Sequence, residues 1–274
     1  MHPILLDLGR YDLPLLGETH LFLPTYGLLF ALGALVAWSW LMRRARVLGL
    51  ESEQVFNLAF YTLLAGLLGA KLTLIAVDWH YYLENPGEIL GTLRSAGVLM
   101  GGVVAGLIVF FAYAQRHGMP AWALADAGVA PLALAQSVGR LGCFSAGCCY
   151  GVQAPQNWFS LTFTDPAAAA QTGVPLHIPL VPTQIIQMGN DLLLVLVLTW
   201  LWRRRPQPDG TVLWAYVLLY SATRGIIEFW RGDAQRGLYF DGSISTSQIF
   251  AIAGVVMAVT MLLRGRRLAH EARA

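Results

Sequence analysis

The chain reads as an all-α integral membrane protein. Seven transmembrane helices are expected, with the N-terminus out, the C-terminus in and a small periplasmic head. Three observations predict this. Of the 274 residues, 56% are hydrophobic and only 12% are charged. That is about half the roughly 25% charge of a soluble domain. Mean hydropathy is +0.56, so polar groups cannot cover a water-facing surface, and disorder is excluded by the same numbers. Apolar runs then recur at the length of about 20 residues that crosses a hydrocarbon core of about 30 Å. Finally, the basic residues gather at alternate ends of those runs. A net charge of only +2 gives no reason to expect a nucleic-acid partner.

In chain order, the spans are expected near 23–42, 55–77, 96–114, 121–142, 185–202, 211–230 and 245–263. The N-terminal MHPILLDLGRYDLPLLGE lacks a charged region, apolar core and small-residue cleavage site in sequence. The first apolar run, Leu21 to Met42, is therefore expected to be a permanent span. Only QRHGMP separates the third and fourth spans, which predicts a tight hairpin. The fourth and fifth spans carry polar residues, and the fifth begins inside IIQMGND. The segment 143–184 holds Pro155, Trp158, Phe159, Pro166 and Pro175 and is expected to fold as a small head between spans four and five. The whole chain, 1–274, is read as a single domain into which that head is inserted.

Orientation follows from the arginines. Arg43, Arg44, Arg46, Arg116, Arg203, Arg204, Arg205, Arg264, Arg266, Arg267 and Arg273 all fall on one side if seven spans alternate, whereas 143–184 contains no Lys or Arg. The arginine-rich side is assigned to the cytoplasm. The N-terminus, the 78–95 loop, the head and the 231–244 loop are assigned to the outside.

A charge inside a span costs about 2.5–3.5 kcal/mol, so it normally has a partner or a task. Lys71, Asp126, Arg140, Asp191, Arg224 and Glu228 are such charges. Asp126 lies close enough to the cytoplasmic end to reach water. The others share a depth near the outer side with Tyr26 in PTYG, Gln184 in PTQ and Gln248 in TSQ. Any one of them is explained equally well as a snorkelling or structural residue. Their convergence from most of the spans favours a polar cavity open to the outer leaflet.

The sixth span sharpens this. Tyr220, Arg224, Glu228 and Arg231 stand at i, i+4, i+8 and i+11, which on a helix falls within an arc of about 80°. Arg224 and Glu228 are spaced as an ordinary i,i+4 pair. One carboxylate against two guanidinium groups leaves positive charge to spare, and Arg140 adds more. The cavity calls for an anion. In the outer leaflet that anion is a lipid phosphate, which arginine grips through its planar fork.

All three cysteines, Cys143, Cys148 and Cys149, lie in GRLGCFSAGCCYG. Its glycines point to close backbone packing or a sharp turn. Three readings stay open. In an oxidising compartment a Cys143–Cys148 or Cys143–Cys149 disulfide is plausible, leaving one thiol over. A metal site is less favoured, because no His stands at ligand spacing, although His80 or His177 could arrive from other loops. A reactive or redox thiol has no neighbouring His in sequence to activate it.

GRLGCFSAGCCYG, YSATRGIIEFWR and PTYG, together with Gly101–Gly102, the PTQ element at Pro182–Gln184 and the TSQ element at Ser247–Gln248, resemble the prolipoprotein diacylglyceryl transferases. The likeness runs from about Tyr26 to about Gln248. It implies a seven-span bacterial inner-membrane enzyme, active towards the periplasm. Such enzymes move a diacylglyceryl group from phosphatidylglycerol to the thiol of a lipobox cysteine on a prolipoprotein signal peptide and release glycerol phosphate. Carried over by position, Tyr26, Arg140, Gly151, Tyr220, Arg224, Glu228 and Arg231 match residues the family depends on. The departures are Cys143 where Asn is usual, Cys148 where Glu is usual, Met100 where many members have His, and Lys71 where Arg is common.

The resemblance implies thiol alkylation. The acceptor cysteine attacks the glycerol carbon bearing the phosphate ester, and Arg140 and Arg224 stabilise the departing phosphate. Glu228 positions Arg224, while Tyr26 and Tyr220 hydrogen-bond the lipid headgroup. Arg231, Lys71, Gly101, Gly102, Gly151, Gln184 and Gln248 are expected around the bound lipid. No metal or cofactor is called for, and the arginine field is expected to activate the thiol in place of the absent His. Two alternatives stand beside this reading. One is a membrane thiol–disulfide oxidoreductase using the cysteines, and the other is a divergent paralogue acting on another lipid acceptor. A disulfide between Cys143 and Cys148 or Cys149 is expected to brace the mouth of the cavity.

Overall fold

The structure, a computed structural model, describes residues 2–13, 17–92, 97–204, 207–233, 237–239 and 244–271. An antiparallel hairpin comes first, β1 (Ile4–Leu13) paired with β2 (Gly17–Pro24). Then follow α1 (Thr25–Val47), α2 (Ser52–Val77), the short α3 (Trp79–Glu84) and α4 (Glu88–Gly91), α5 (Leu99–Arg116) and α6 (Ala121–Ala146). The stretch between α6 and α8 (Thr183–Arg203) contains β3 (Leu161–Thr162), α7 (Pro166–Thr172) and β4 (Pro179–Leu180). Next come α9 (Thr211–Ile227), a 3-10 turn at Glu228–Trp230, β5 (Leu238–Tyr239), β6 (Ile244–Ser245) and α10 (Thr246–Glu271).

Among the described residues, seven helices are long and apolar enough to cross a membrane: α1, α2, α5, α6, α8, α9 with its 3-10 turn, and α10. They coincide with the seven expected spans and define a multi-pass membrane protein. The helices overrun the apolar stretches. For example, α1 continues to Val47 and carries Arg44 and Arg46 in its last turn, where cations suit the negative end of the helix dipole. The start of the first span differs from expectation, because Leu21–Pro24 belong to β2. Pro24 disfavours the helical conformation in the residue before it. The helix therefore begins at Thr25, whose N–H donates to the Pro3 carbonyl (3.0 Å). Arg205 and Arg273 lie outside the described residues.

Contacts divide the chain into Met1–Trp40 with Asp126–Ala274, and Leu41–Ala125. In the second unit α2 packs on α5. Glycines allow the close approach: a Cβ at Gly101 would lie 1.8 Å from Thr73 Oγ1 and 2.8 Å from the Gly69 carbonyl oxygen. Ala45, Val55, Leu58, Ala114, Met119 and Leu124 form its core.

In the first unit the core is Val129, Ala130 and Ala133 of α6, Leu194 and Leu198 of α8, and Val212 and Tyr216 of α9. α10 packs on α9. Leu193, Leu196, Ile252 and Val256 point outwards, an apolar exterior suited to lipid. The segment between α6 and α8 has its own small core of Phe163, Ala168, Val174 and Leu180. Its backbone is tied to the end of α9: Val152 N–H donates to the Trp230 carbonyl (2.9 Å) and Gly232 N–H to the Tyr150 carbonyl (3.0 Å).

Asp126 corrects the expectation that it reaches water. Only 1% exposed, it accepts from the N–H groups of Gly210 (2.8 Å) and Leu213 (2.7 Å). It thus caps the start of α9 from a distant point in sequence, satisfying donors that the first turn of a helix leaves over.

Candidate functional site

The C-terminal ends of α6 and α9 and the N-terminal end of α8 bring the polar residues of the first unit together. α6 supplies Arg140 near its end, and the loop beyond it supplies Cys149. The first two turns of α8 supply Thr183, Gln184 and Gln187. Arg224 and Ile227 come from the last turn of α9, and Arg231 follows the 3-10 turn. These eight residues line one narrow cleft. Arg140, Arg224, Arg231 and Gln184 were expected there. Thr183, Gln187 and Cys149 were not assigned to it.

The three guanidinium groups differ in their partners. Arg224 Nη2 is 2.6 Å from Glu228 Oε2 and donates to Ser247 Oγ at 3.2 Å. Glu228 is 1% exposed. Arg231 donates through Nε to Asp233 Oδ1 (2.8 Å) and through Nη2 to Asp233 Oδ2. Burial opposes the Arg231 charge, but the Asp233 hydrogen bonds hold its pKa above the ordinary guanidinium value. Among the described residues, no hydrogen bond or ion pair occupies Arg140. Its electrostatic neighbours are Tyr220, Cys143, Cys149 and Asp191. The site therefore has two arginines tethered by carboxylates and a third ready for an incoming anion.

Arg231 reaches the cleft by a different route from the one its spacing implies. α9 ends at Ile227, and Arg231 is extended (φ −78°, ψ 138°). It forms an antiparallel bridge with Gly151. Pairing of 230–232 with 150–152 unwinds the helix, so the expected helical face of Tyr220, Arg224, Glu228 and Arg231 ends at its third member. Gly151 serves this junction, since a Cβ there would lie 2.3 Å from the Val181 carbonyl oxygen and 2.9 Å from that of Trp230.

The same helix, α8, carries buried acceptors in Gln184, Gln187 and Asp191. Gln187 Nε2 donates to Asp191 Oδ1 at 2.9 Å. Gln184, Gln187 and Asp191 are each 1–2% exposed. Among the described residues, Gln184 Oε1, Gln187 Oε1 and Asp191 Oδ2 have no hydrogen-bond partner. Buried acceptors are seldom left unsatisfied, so these invite donors from a ligand. Gln184 also holds the chain locally, its Nε2 donating to the Cys148 carbonyl at 2.9 Å. Tyr26, at the start of α1, packs against Gly142 and lies within electrostatic reach of Arg140 and the three cysteines. Tyr220 stacks on Tyr216.

Gln248 has a structural engagement. Its Oε1 accepts from Ser245 N–H (2.9 Å), and its own N–H donates to Ser245 Oγ (3.2 Å). This reciprocal arrangement is a capping box at the start of α10. From the same segment it is Ser247 that meets Arg224. Lys71, Gly101 and Gly102 belong to the other unit. There Lys71 Nζ donates to the Thr92 carbonyl, and both glycines pack against α2.

The three cysteines are free thiols with their Sγ atoms all within 4.8 Å of one another. Gly147 (φ 82°) and Cys149 (φ 58°) both adopt left-handed backbone, uncommon for a residue other than Gly. This turns the chain back over the end of α6. Hydrogen bonds with the Cys143 and Cys148 thiols, reinforced by Arg231 and Arg140, hold the Cys149 thiol below its ordinary pKa. The same sharing, together with burial, pushes Cys148 up.

Fold and site together define a multi-pass membrane protein with a cluster of arginines at one end of a helical unit, arranged to receive an anion. The prolipoprotein diacylglyceryl transferase family matches residues 16–264, and the chain belongs to that family. It is 35% identical over 234 residues to the phosphatidylglycerol–prolipoprotein diacylglyceryl transferase of Clostridium tetani (strain Massachusetts / E88), covering 85% of this chain and 90% of the relative. Transferase 2 of Clostridium perfringens (strain 13 / Type A) is 31% identical, covering 90% and 94%. The transferase of Dehalococcoides mccartyi (strain ATCC BAA-2266 / KCTC 15142 / 195) is 29% identical, covering 90% and 91%. These relatives favour the transferase reading over a thiol–disulfide oxidoreductase.

Proposed function

We propose that the protein transfers the diacylglyceryl group of phosphatidylglycerol to the thiol of the lipobox cysteine of a prolipoprotein, releasing glycerol phosphate. The observation that carries this reading is the Arg140 guanidinium, without a hydrogen bond or ion pair among the described residues and set in one cleft with Arg224 and Arg231, in a member of this family.

The geometry supports the following roles. Arg140 takes the phosphate through its planar fork. Arg224, fixed by Glu228 and Ser247, and Arg231, fixed by Asp233, hold positive charge where the departing phosphate gathers negative charge. The unpartnered oxygens of Gln184, Gln187 and Asp191 accept from the hydroxyls of the glycerol headgroup. Tyr26 and Tyr220 flank Arg140 and contact the lipid. In the reaction the acceptor sulfur bonds to the glycerol carbon, the carbon–oxygen bond to phosphate breaks, and the electron pair leaves with the phosphate.

The basic residues support an orientation with the site on the periplasmic side of the bacterial inner membrane. Arg44, Arg46, Arg116 and Arg203 stand in the last turns of α1, α5 and α8, on the side assigned to the cytoplasm. The cleft lies at the opposite ends of α6, α8 and α9.

The test is direct transfer. Purified protein, labelled phosphatidylglycerol and a peptide carrying a lipobox cysteine are expected to give a thioether-linked lipid-modified peptide and glycerol phosphate. A serine in place of the acceptor cysteine should abolish it. No modified peptide from an otherwise folded protein would remove this reading.

A further inference from the structure

The transferase reading leaves one requirement unmet. A thiol with an ordinary pKa of about 8.5 is mostly protonated near neutrality and is then a poor nucleophile. Among the described residues, no histidine lines the cleft to act as a base for it.

The three cysteines meet the requirement. The geometry points to a zinc(II) site held by Cys143, Cys148 and Cys149, with its fourth position open to the arginine cleft, where the acceptor cysteine binds as a thiolate. The activating role rests on the transfer reaction proposed above. The metal site itself does not.

The arrangement is built for three sulfurs. Their Sγ atoms lie within 4.8 Å of one another. An ion at about 2.3 Å from each sulfur asks for separations of roughly 3.8–4.0 Å, a contraction of less than about 1 Å. The loop is pinned on both sides of the turn. The Cys143 carbonyl accepts from Gly147 N–H (3.0 Å) and Cys148 N–H (3.1 Å). From α8, Thr183 Oγ1 donates to the Cys149 carbonyl at 2.7 Å and Gln184 Nε2 to that of Cys148 at 2.9 Å. The left-handed Cys149 is held by these bonds and turns its thiol towards the other two. The sequence places no His at ligand spacing from these cysteines. Three converging sulfurs need none, because thiolates select zinc-class ions unaided.

One of the ligands, Cys149, lines the cleft. Three protein ligands with an open fourth position are the pattern of a catalytic zinc site, whereas structural sites are closed by four. Three thiolates around a divalent ion leave net negative charge, which Arg140 and Arg231 beside Cys149 offset. Coordination strips the proton from an incoming thiol and releases it to water. The bound sulfur attacks the glycerol carbon, the carbon–phosphate ester oxygen bond breaks, and the glycerol phosphate departs with the electron pair. Nothing is oxidised or reduced.

Protein purified in detergent under reducing, chelator-free conditions and titrated with zinc(II) alone is expected to bind one equivalent. Cobalt(II) in its place should give the thiolate-to-metal charge-transfer absorption of a sulfur-ligated site. A peptide with the acceptor cysteine should shift that spectrum, and its serine counterpart should not. Cys149→Ser should weaken zinc binding by more than the about 10–100-fold that follows loss of a ligand's hydrogen-bond partner alone. Chelation should stop transfer and zinc should restore it. Arg140→Ala should lose transfer and keep the metal. A disulfide between any two of the cysteines, a cobalt spectrum without sulfur ligation, or zinc binding unchanged in Cys149→Ser would overturn the site. Full transfer by metal-free protein would overturn the activating role and leave the transferase reading standing. Sulfur-ligated zinc in a protein that modifies no peptide thiol would do the reverse, keeping the site and removing the reaction it was to serve.

Discussion

The carboxylate of Asp126 accepts the backbone N–H of Leu213 at 2.7 Å, and a second oxygen takes that of Gly210 at 2.8 Å. An acid that looks like an intruder in a span is thus the cap of another helix. Asp126→Ala would leave two buried donors without their acceptor, at about 1–3 kcal/mol. The expected result is a lower melting temperature in detergent, with the transfer rate of the remaining folded protein unchanged. Asp126→Asn, which keeps one acceptor oxygen, should fall between. A rate loss at full thermal stability would contradict this assignment.

Arg140 should behave in the opposite way. With no partner of its own among the described residues, its removal breaks no ion pair, so Arg140→Ala should fold and melt close to the parent protein. Transfer should fall by about 10²-fold or more, the scale for losing one transition-state donor. Arg140→Lys restores charge without the fork and should recover little. Initial rates with labelled phosphatidylglycerol decide this, and near-parental transfer by both variants would remove Arg140 from the reaction.

Glu228 and Arg224 form the buried pair at 2.6 Å. Removing one partner strands a charge and costs about 3–5 kcal/mol. Glu228→Ala should therefore lower both stability and transfer. Replacing Arg224 as well should recover part of the stability, with a coupling of about 0.5–3 kcal/mol in a double-mutant cycle, but none of the activity. Additive stability losses would show that the pair is not coupled.

Much of this could be read from the sequence, and the misses have physical causes. The seven spans were legible because hydrocarbon thickness leaves a run of fixed length. The arginines were legible because charge in such a run is rare. The Ser245–Gln248 capping box was also legible, as S-x-x-Q ahead of an apolar run, but Gln248 was read as a ligand contact instead. Arg231 was placed on a helical face because periodicity assumes that the helix continues. Nothing local announces a bridge to Gly151, although Gly232 marks a place where helices stop. Gln187 and Thr183 flank Gln184, which was legible, but nothing in the sequence shows that the same helix end turns all three into the cleft. The convergence of the three sulfurs depends on Cys149 taking a left-handed backbone conformation (φ 58°), which its sequence does not advertise.

Gly151 offers a test of the junction that carries Arg231 and Cys149. A Cβ there meets the Val181 and Trp230 carbonyl oxygens at 2.3 and 2.9 Å. Neither can yield without breaking the pairing. Gly151→Ala should reduce transfer at least as much as loss of one arginine and should destabilise the protein. Gly139→Ala is the control. It precedes Arg140 on α6 and its Cβ would meet nothing within 4 Å, so the change should be neutral or stabilise by up to about 1 kcal/mol. Equal tolerance at both positions would show that the junction does not need the close approach.

The orientation rests on charge and can be tested apart from the chemistry. Arginines in the last turns of α1, α5 and α8 and in the tail are proposed to stay in the cytoplasm, since positive charge beside a span resists export. The segment between α6 and α8 has none. Reporter fusions after residue 205 and after residue 267 should therefore read cytoplasmic, and fusions within 150–180 should read periplasmic. Substituting Arg43, Arg44 and Arg46 with Gln should weaken the bias and raise the fraction of inverted protein. The proposed function asks for the same orientation, because a prolipoprotein acceptor would be reached on the periplasmic side. A cytoplasmic signal from 150–180 would put the arginines on the wrong face and remove the orientation and this route to the acceptor together.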